Sequence, residues 1–112
     1  MTDLPEKQLN RFIRNVARTR WQISKHFFDN LHIPAAPCLD ILFALQATDG
    51  AQLDVESLSG YIFCSSTITV RYLNLMAGKG LVEVDDGDVT LTPEGDRELS
   101  NILSQFYDDF ND

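Results

Sequence analysis

Residues 54–92 read DVESLSGYIFCSSTITVRYLNLMAGKGLVEVDDGDVTLT. Asp54 is a good N-cap for a helix over residues 55–62, in which Leu58 and Ile62 are expected inside, with Tyr61 a further candidate. Phe63, Cys64 and Ser65 form a tight turn, and Ser65 or Ser66 caps a second helix that runs to about Ala77. Gly78 and Gly80, on either side of Lys79, stop it. Residues 81–84 alternate apolar and acidic side chains, Asp85-Asp86-Gly87-Asp88 turns the chain, and residues 89–91 return it as a ribbon. Helix, turn, helix and ribbon in this order suit an element that lays one helix in a DNA major groove and a hairpin beside it.

A wheel drawn on residues 66–77 separates two faces. Ile68, Tyr72, Leu75 and Met76 share one sector and are expected to pack inward. Ser66, Thr67, Val70, Arg71 and Asn74 share the other, with Ala77 beside them. Those side chains suit base edges: Arg pairs with guanine bidentately, Asn with adenine, and Thr or Val meets a thymine methyl. Ser66 and Thr67 lie at a helix N-terminus, where free N–H groups and the helix dipole favour phosphate.

Nearer the N-terminus, Thr2 or Asp3 can cap a long first helix with Pro5 in its first turn. Leu9, Phe12, Ile13, Val16, Ile23 and Phe27 keep helical phase over residues 7–27. Lys7, Arg11, Arg14, Arg18 and Lys25 form a stripe on the opposite side, with Trp21 beside them. The stripe reads as a solvated face, or as an edge that contacts phosphates or docks the acidic half of the chain. Residues 29–37 contain Asn30, Pro34 and Pro37 and read as a connector. A helix is expected over residues 38–47, with Leu39, Leu42, Phe43 and Ile41 or Leu45 inside, and residues 51–53 are a candidate short strand. Thr92 and Pro93 open a last helix as cap and first residue, and Leu99, Ile102, Leu103, Phe106 and Phe110 recur along it at helical spacing.

The expected fold is mainly α with a small β-hairpin wing, a winged helix-turn-helix with extra N- and C-terminal helices. One domain is expected for 112 residues. It divides into a basic amphipathic helix over residues 1–30, a winged-helix core over 38–92 and a terminal helix over 93–112. The start, MTDLPEKQLNRF, lacks the apolar segment of a secretory signal, and no run approaches a membrane span, so the expected location is cytoplasmic.

Here STITVRYLNLMAGKGLVEV followed by VTLTPEG resembles the MarR-type winged-helix regulators. In that family a recognition helix ends in a Gly-Leu-Val step, a wing follows, and a Leu-Thr-x-x-Gly segment opens the terminal helix. Gly80-Leu81-Val82 and Leu91-Thr92-Pro93-Glu94-Gly95 match both marks, and residues 40–58 fit the preceding helices in order and length. The resemblance spans about residues 38–103. It implies a homodimeric transcription regulator that binds double-stranded DNA. The dimer would be built from the terminal helices, through Leu9 and Phe12 at one end and Leu103, Phe106 and Phe110 at the other. The plainer alternative is that both helices complete the monomer's own core. Reading residues would be Ser66, Thr67, Val70, Arg71 and Asn74, and phosphate contacts Lys79, Arg11, Arg14 and Arg18.

The charge distribution departs from that pattern. The formal net charge is −8. Residues 1–38 hold six bases against three acids, and the remainder holds three bases against fourteen acids. Glu83, Asp85, Asp86 and Asp88 occupy the hairpin, where the family usually carries Arg or Lys. Four acids near phosphates are repelled unless screened or tilted away. A second reading follows, in which an acidic winged helix docks on a basic protein partner or imitates DNA.

No enzyme, cofactor or metal is expected. Asp85, Asp86 and Asp88 lack the further ligands and distal Glu of a calcium loop. His26 and His32 have no Cys or carboxylate at ligand spacing, and no phosphate loop or nucleophile elbow is present. Cys38 and Cys64 have no metal-type spacing and read as reduced, partly buried thiols.

Overall fold

The structure, a computed structural model, describes residues 5–107. Its first helix, α1 (Glu6–His26), is amphipathic along its whole length. Pro5 is extended (φ −57°, ψ 145°) and precedes the first helical residue, where its missing N–H costs nothing, so it is a cap position rather than part of the first turn. The expected caps Thr2 and Asp3 lie outside the described residues.

The chain does not leave the helix at Asp29 as expected. A wider, π-type turn continues it over Phe27–Leu31 and ends where His32 turns left-handed (φ 57°). Local pairing supports this turn: Asn30 Nδ2 lies 3.0 Å from His26 Nδ1, Lys25 pairs with Asp29, and Phe27 is fully buried. His26 Nε2 also meets Glu98 Oε1 at 2.8 Å, which links the end of α1 to the last helix.

Helix α2 (Ala35–Gln46) is central. Ala36 is extended, as residues before proline tend to be, so regular winding starts at Pro37. Cys38, Leu39, Ile41, Leu42 and Leu45 are all buried. Burial pushes the Cys38 thiol from its ordinary 9.0 up to about 12. Phe43 falls just past the edge of this wide buried arc and is exposed, against expectation.

A single-turn 3₁₀ segment (Asp49–Ala51) leads into β1 (Gln52–Asp54). Then come α3 (Val55–Ile62), α4 (Ser66–Gly78), β2 (Val82–Asp85), β3 (Asp88–Leu91) and α5 (Pro93–Ser104). The sheet is antiparallel in the order β1-β3-β2, so the hairpin gains the short third strand. Asp86 (φ 51°) and Gly87 (φ 84°) make the two-residue turn, with both residues at the positive φ that matches strand twist. The Val55 N–H donates to the Gly87 carbonyl at 3.0 Å and holds the wing tip against the start of α3.

The Leu-Thr-x-x-Gly segment has a mechanical explanation. The Thr92 hydroxyl accepts from the Gly95 N–H at 2.9 Å, capping α5, and donates to the Gly80 carbonyl at 2.6 Å. The Thr92 N–H donates to the Leu81 carbonyl at 3.2 Å. The end of α4, the wing and the start of α5 are thereby clipped together. Among the described residues, buried side chains from α1 to α5 and the sheet join in one core cluster. This is a winged helix-turn-helix flanked by terminal helices, as the sequence predicts.

Candidate nucleic-acid interface

The helix-turn-helix is built from caps and one buried polar bridge. Asp54 Oδ1 accepts from the Ser57 N–H at 2.6 Å, and hydrogen bonding from the Ser57 side chain and backbone holds the Asp54 carboxyl below its ordinary 3.8. Phe63 closes α3 in a left-handed conformation (φ 57°), and Ser65, not Ser66, caps α4 by accepting from the Ile68 N–H at 3.2 Å. Thr69 is fully buried between the helices. Its hydroxyl donates to the Ser65 carbonyl at 2.9 Å and accepts from the Ser59 hydroxyl at 2.8 Å, whose one proton is shared with the Val55 carbonyl at 2.7 Å. Each buried hydroxyl is satisfied, so this polar contact fixes the crossing of α3 and α4 at little cost.

Thr69 also sets the rotation of α4, which differs from the expected one. The buried residues are Thr69, Leu73 and Met76, with Tyr72 half-buried against the core. Ile68 and Leu75, expected inside, are exposed. A wheel scored by hydropathy treats Thr as polar and turns the inward arc toward Ile68; the Thr69 hydrogen bonds reverse that preference. Tyr61 of α3 is likewise exposed, and with Phe43 and Phe63 it lines a shallow groove between α2 and α3.

The predicted reading residues nevertheless stand together. Ser66, Thr67, Val70, Arg71 and Asn74 are all exposed on the outward side of α4. Lys79, also exposed, follows immediately at its C-terminal cap. There the Leu81 N–H donates to the Met76 carbonyl at 3.1 Å and Gly80 (φ 77°) supplies the left-handed turn.

The other predicted groups divide. Arg11, Arg14 and Arg18 lie with Lys7 along one exposed flank of α1, and Arg18 bonds to Asn15 at 2.9 Å. On the opposite flank Leu9 is exposed, and so is Phe12, to 55%. Phe106 is buried in the core of its own chain and Leu103 is half-buried against it. Phe110 lies outside the described residues. Among the described residues of the expected dimer surface, those of α1 are therefore the bare ones.

The wing is acidic on its exposed surface. Strand pairing sets Asp88 opposite both Asp85 and Asp54, which adds a carboxylate from β1 that the hairpin sequence alone does not reveal. Among the described residues none of these acids is in an ion pair. Among the same residues no helix is long and apolar enough to cross a membrane.

No family model matches the sequence, and no curated protein matches it. Solved structures do. The chain is similar to a MarR family transcriptional regulator from Streptomyces coelicolor, with 12% identity over 90% of this chain and 73% of that one, at a TM-score of 0.68. A second regulator of that family from the same organism matches with 15% identity over 95% and 78% of the two chains, at a TM-score of 0.61. A third, from Silicibacter pomeroyi, matches with 24% identity over 96% and 76%, at a TM-score of 0.60. The fold is thus MarR-like.

Proposed function

We propose that the chain is a DNA-binding transcription regulator that acts as a homodimer, with α4 as its reading helix. The observation that carries this reading is the outward face of α4. Five side chains suited to base edges and phosphates stand together there, on a fold similar to that of solved transcription regulators. Arg71 is of the type that pairs with guanine and Asn74 of the type that pairs with adenine; Ser66 and Thr67 lie at the helix N-terminus, where backbone N–H groups attract phosphate. Lys79 adds one phosphate contact.

This reading head is weakly charged, so affinity must draw on other cations. Arg11, Arg14 and Arg18 supply three, and a second copy doubles the total. The bare apolar side of α1 supports the second copy as its cover. The role is one of binding, with no catalytic step.

The test is binding to duplex DNA from the chain's own upstream region, followed by fluorescence anisotropy across a salt series. Affinity should fall as salt rises, and Arg71→Ala should cost about 1–3 kcal/mol on the specific duplex. Unchanged specific affinity in Arg71→Ala would remove α4 from the role. The acidic wing motivates the competing reading, a module for a basic protein partner. Failure to stay on heparin at about 0.2 M salt, with capture of one protein partner instead, would favour it.

A further inference from the structure

The rotation of α4 exposes Ile68 and Leu75, which its sequence pattern assigns to the core: they are 44% and 46% exposed. Val70, on the outward face as expected, is 42% exposed. At about 100° per residue, Thr67, Arg71 and Asn74 form the crest opposite the buried line of Thr69, Leu73 and Met76. Ile68 and Leu75, seven residues apart, lie one above the other on one shoulder of that crest, and Val70 lies on the other. A single exposed isoleucine needs no explanation. Apolar residues on both shoulders of a proposed reading face do.

We infer that Ile68, Val70 and Leu75 read thymine methyl groups, so that the DNA bound by α4 is specified mainly by its thymines. This rests on the reading of α4 given above. The crest offers one Arg and one Asn, enough for about two bidentate base contacts. Phosphates and the amino and carbonyl groups of the groove floor gain nothing from an aliphatic shoulder. Of the groups that base pairs present in the major groove, the C5 methyl of thymine is the one apolar group that projects from the base edge. Ile68 and Val70 are in the first half of α4 beside Thr67, the end that a recognition helix presents to the bases. The acidic wing strengthens the requirement. With Glu83, Asp85, Asp86 and Asp88 repelled by the backbone, discrimination falls on α4 itself.

The experiment uses the full chain. Duplexes are selected from a random pool, and in the selected site each thymine is replaced in turn by deoxyuridine, which removes the methyl and leaves base pairing unchanged. At two or more positions deoxyuridine should lower affinity about fourfold, the share of one buried methyl. Ile68→Ala or Val70→Ala should weaken binding to the thymine duplex and abolish the difference at the matching position. Thermal melting of each variant verifies that it is folded. If every deoxyuridine duplex binds within twofold of the parent while Arg71→Ala still weakens specific binding, the methyl reading is wrong and the DNA reading stands. If the variants lose affinity equally for both duplexes, these side chains do not touch methyls. If the pool yields no enriched site, the assignment of α4 to DNA falls, and this inference with it.

Discussion

A Cβ placed on Gly95 would stand 2.1 Å from the Leu81 carbonyl oxygen and 2.8 Å from Leu91 Cδ1. The first neighbour is backbone and is already held by the Thr92 N–H, so it has little freedom to retreat. Gly95→Ala is therefore expected to lower unfolding stability by about 3 kcal/mol, at the upper end of overpacking effects. Gly60 is the internal control: it is in α3 with nothing within 4 Å of the position its Cβ would take. Gly60→Ala should stabilise by roughly 0.5–1 kcal/mol through lost unfolded-state freedom. Urea unfolding of the two variants checks both signs, and equal effects would contradict the clip between α4, the wing and α5. Residues that act locally were the most legible in the sequence. Asp54 and Thr92 cap the helices they were expected to cap, and Asp86-Gly87 forms the turn. Thr69 was not legible, because its burial depends on partners, Ser59 and the Ser65 carbonyl, that hydropathy does not see.

Among the elements, α1 is the one whose two halves have different surroundings. Its C-terminal half buries Thr19 and Ile23 against the body of the chain. Its N-terminal half keeps the same apolar phase through Leu9, Phe12, Ile13 and Val16, yet leaves all four exposed. Periodicity locates this face but does not say whether or by what it is covered, since amphipathicity is the same for an intramolecular and an intermolecular neighbour. The same limit explains Phe43 and Tyr61. Each lies at the edge of a buried arc, and tertiary packing rather than spacing decides on which side it falls. In the proposed dimer, Phe12→Glu places a charge in the contact and should shift the chain from dimer to monomer in light scattering, with the helical circular dichroism of the body retained. An unchanged mass would remove α1 from the interface.

For the whole molecule, the outstanding quantity is charge. To bind DNA as proposed, a net −8 chain with an acidic wing would approach it against its own field, and only a local concentration of cations would overcome that. The proposed arrangement supplies it through symmetry: two copies of α4, two of Lys79 and two basic stripes on one duplex. Neither the sequence nor one chain's fold contains that geometry, because it would belong to the proposed assembly. Hydroxyl-radical footprinting on a selected duplex measures it most directly. Two symmetric protected patches are expected, about 10 base pairs apart or a multiple of that, both lost in Arg71→Ala. A single patch, or a footprint unchanged by Arg71→Ala, would contradict it.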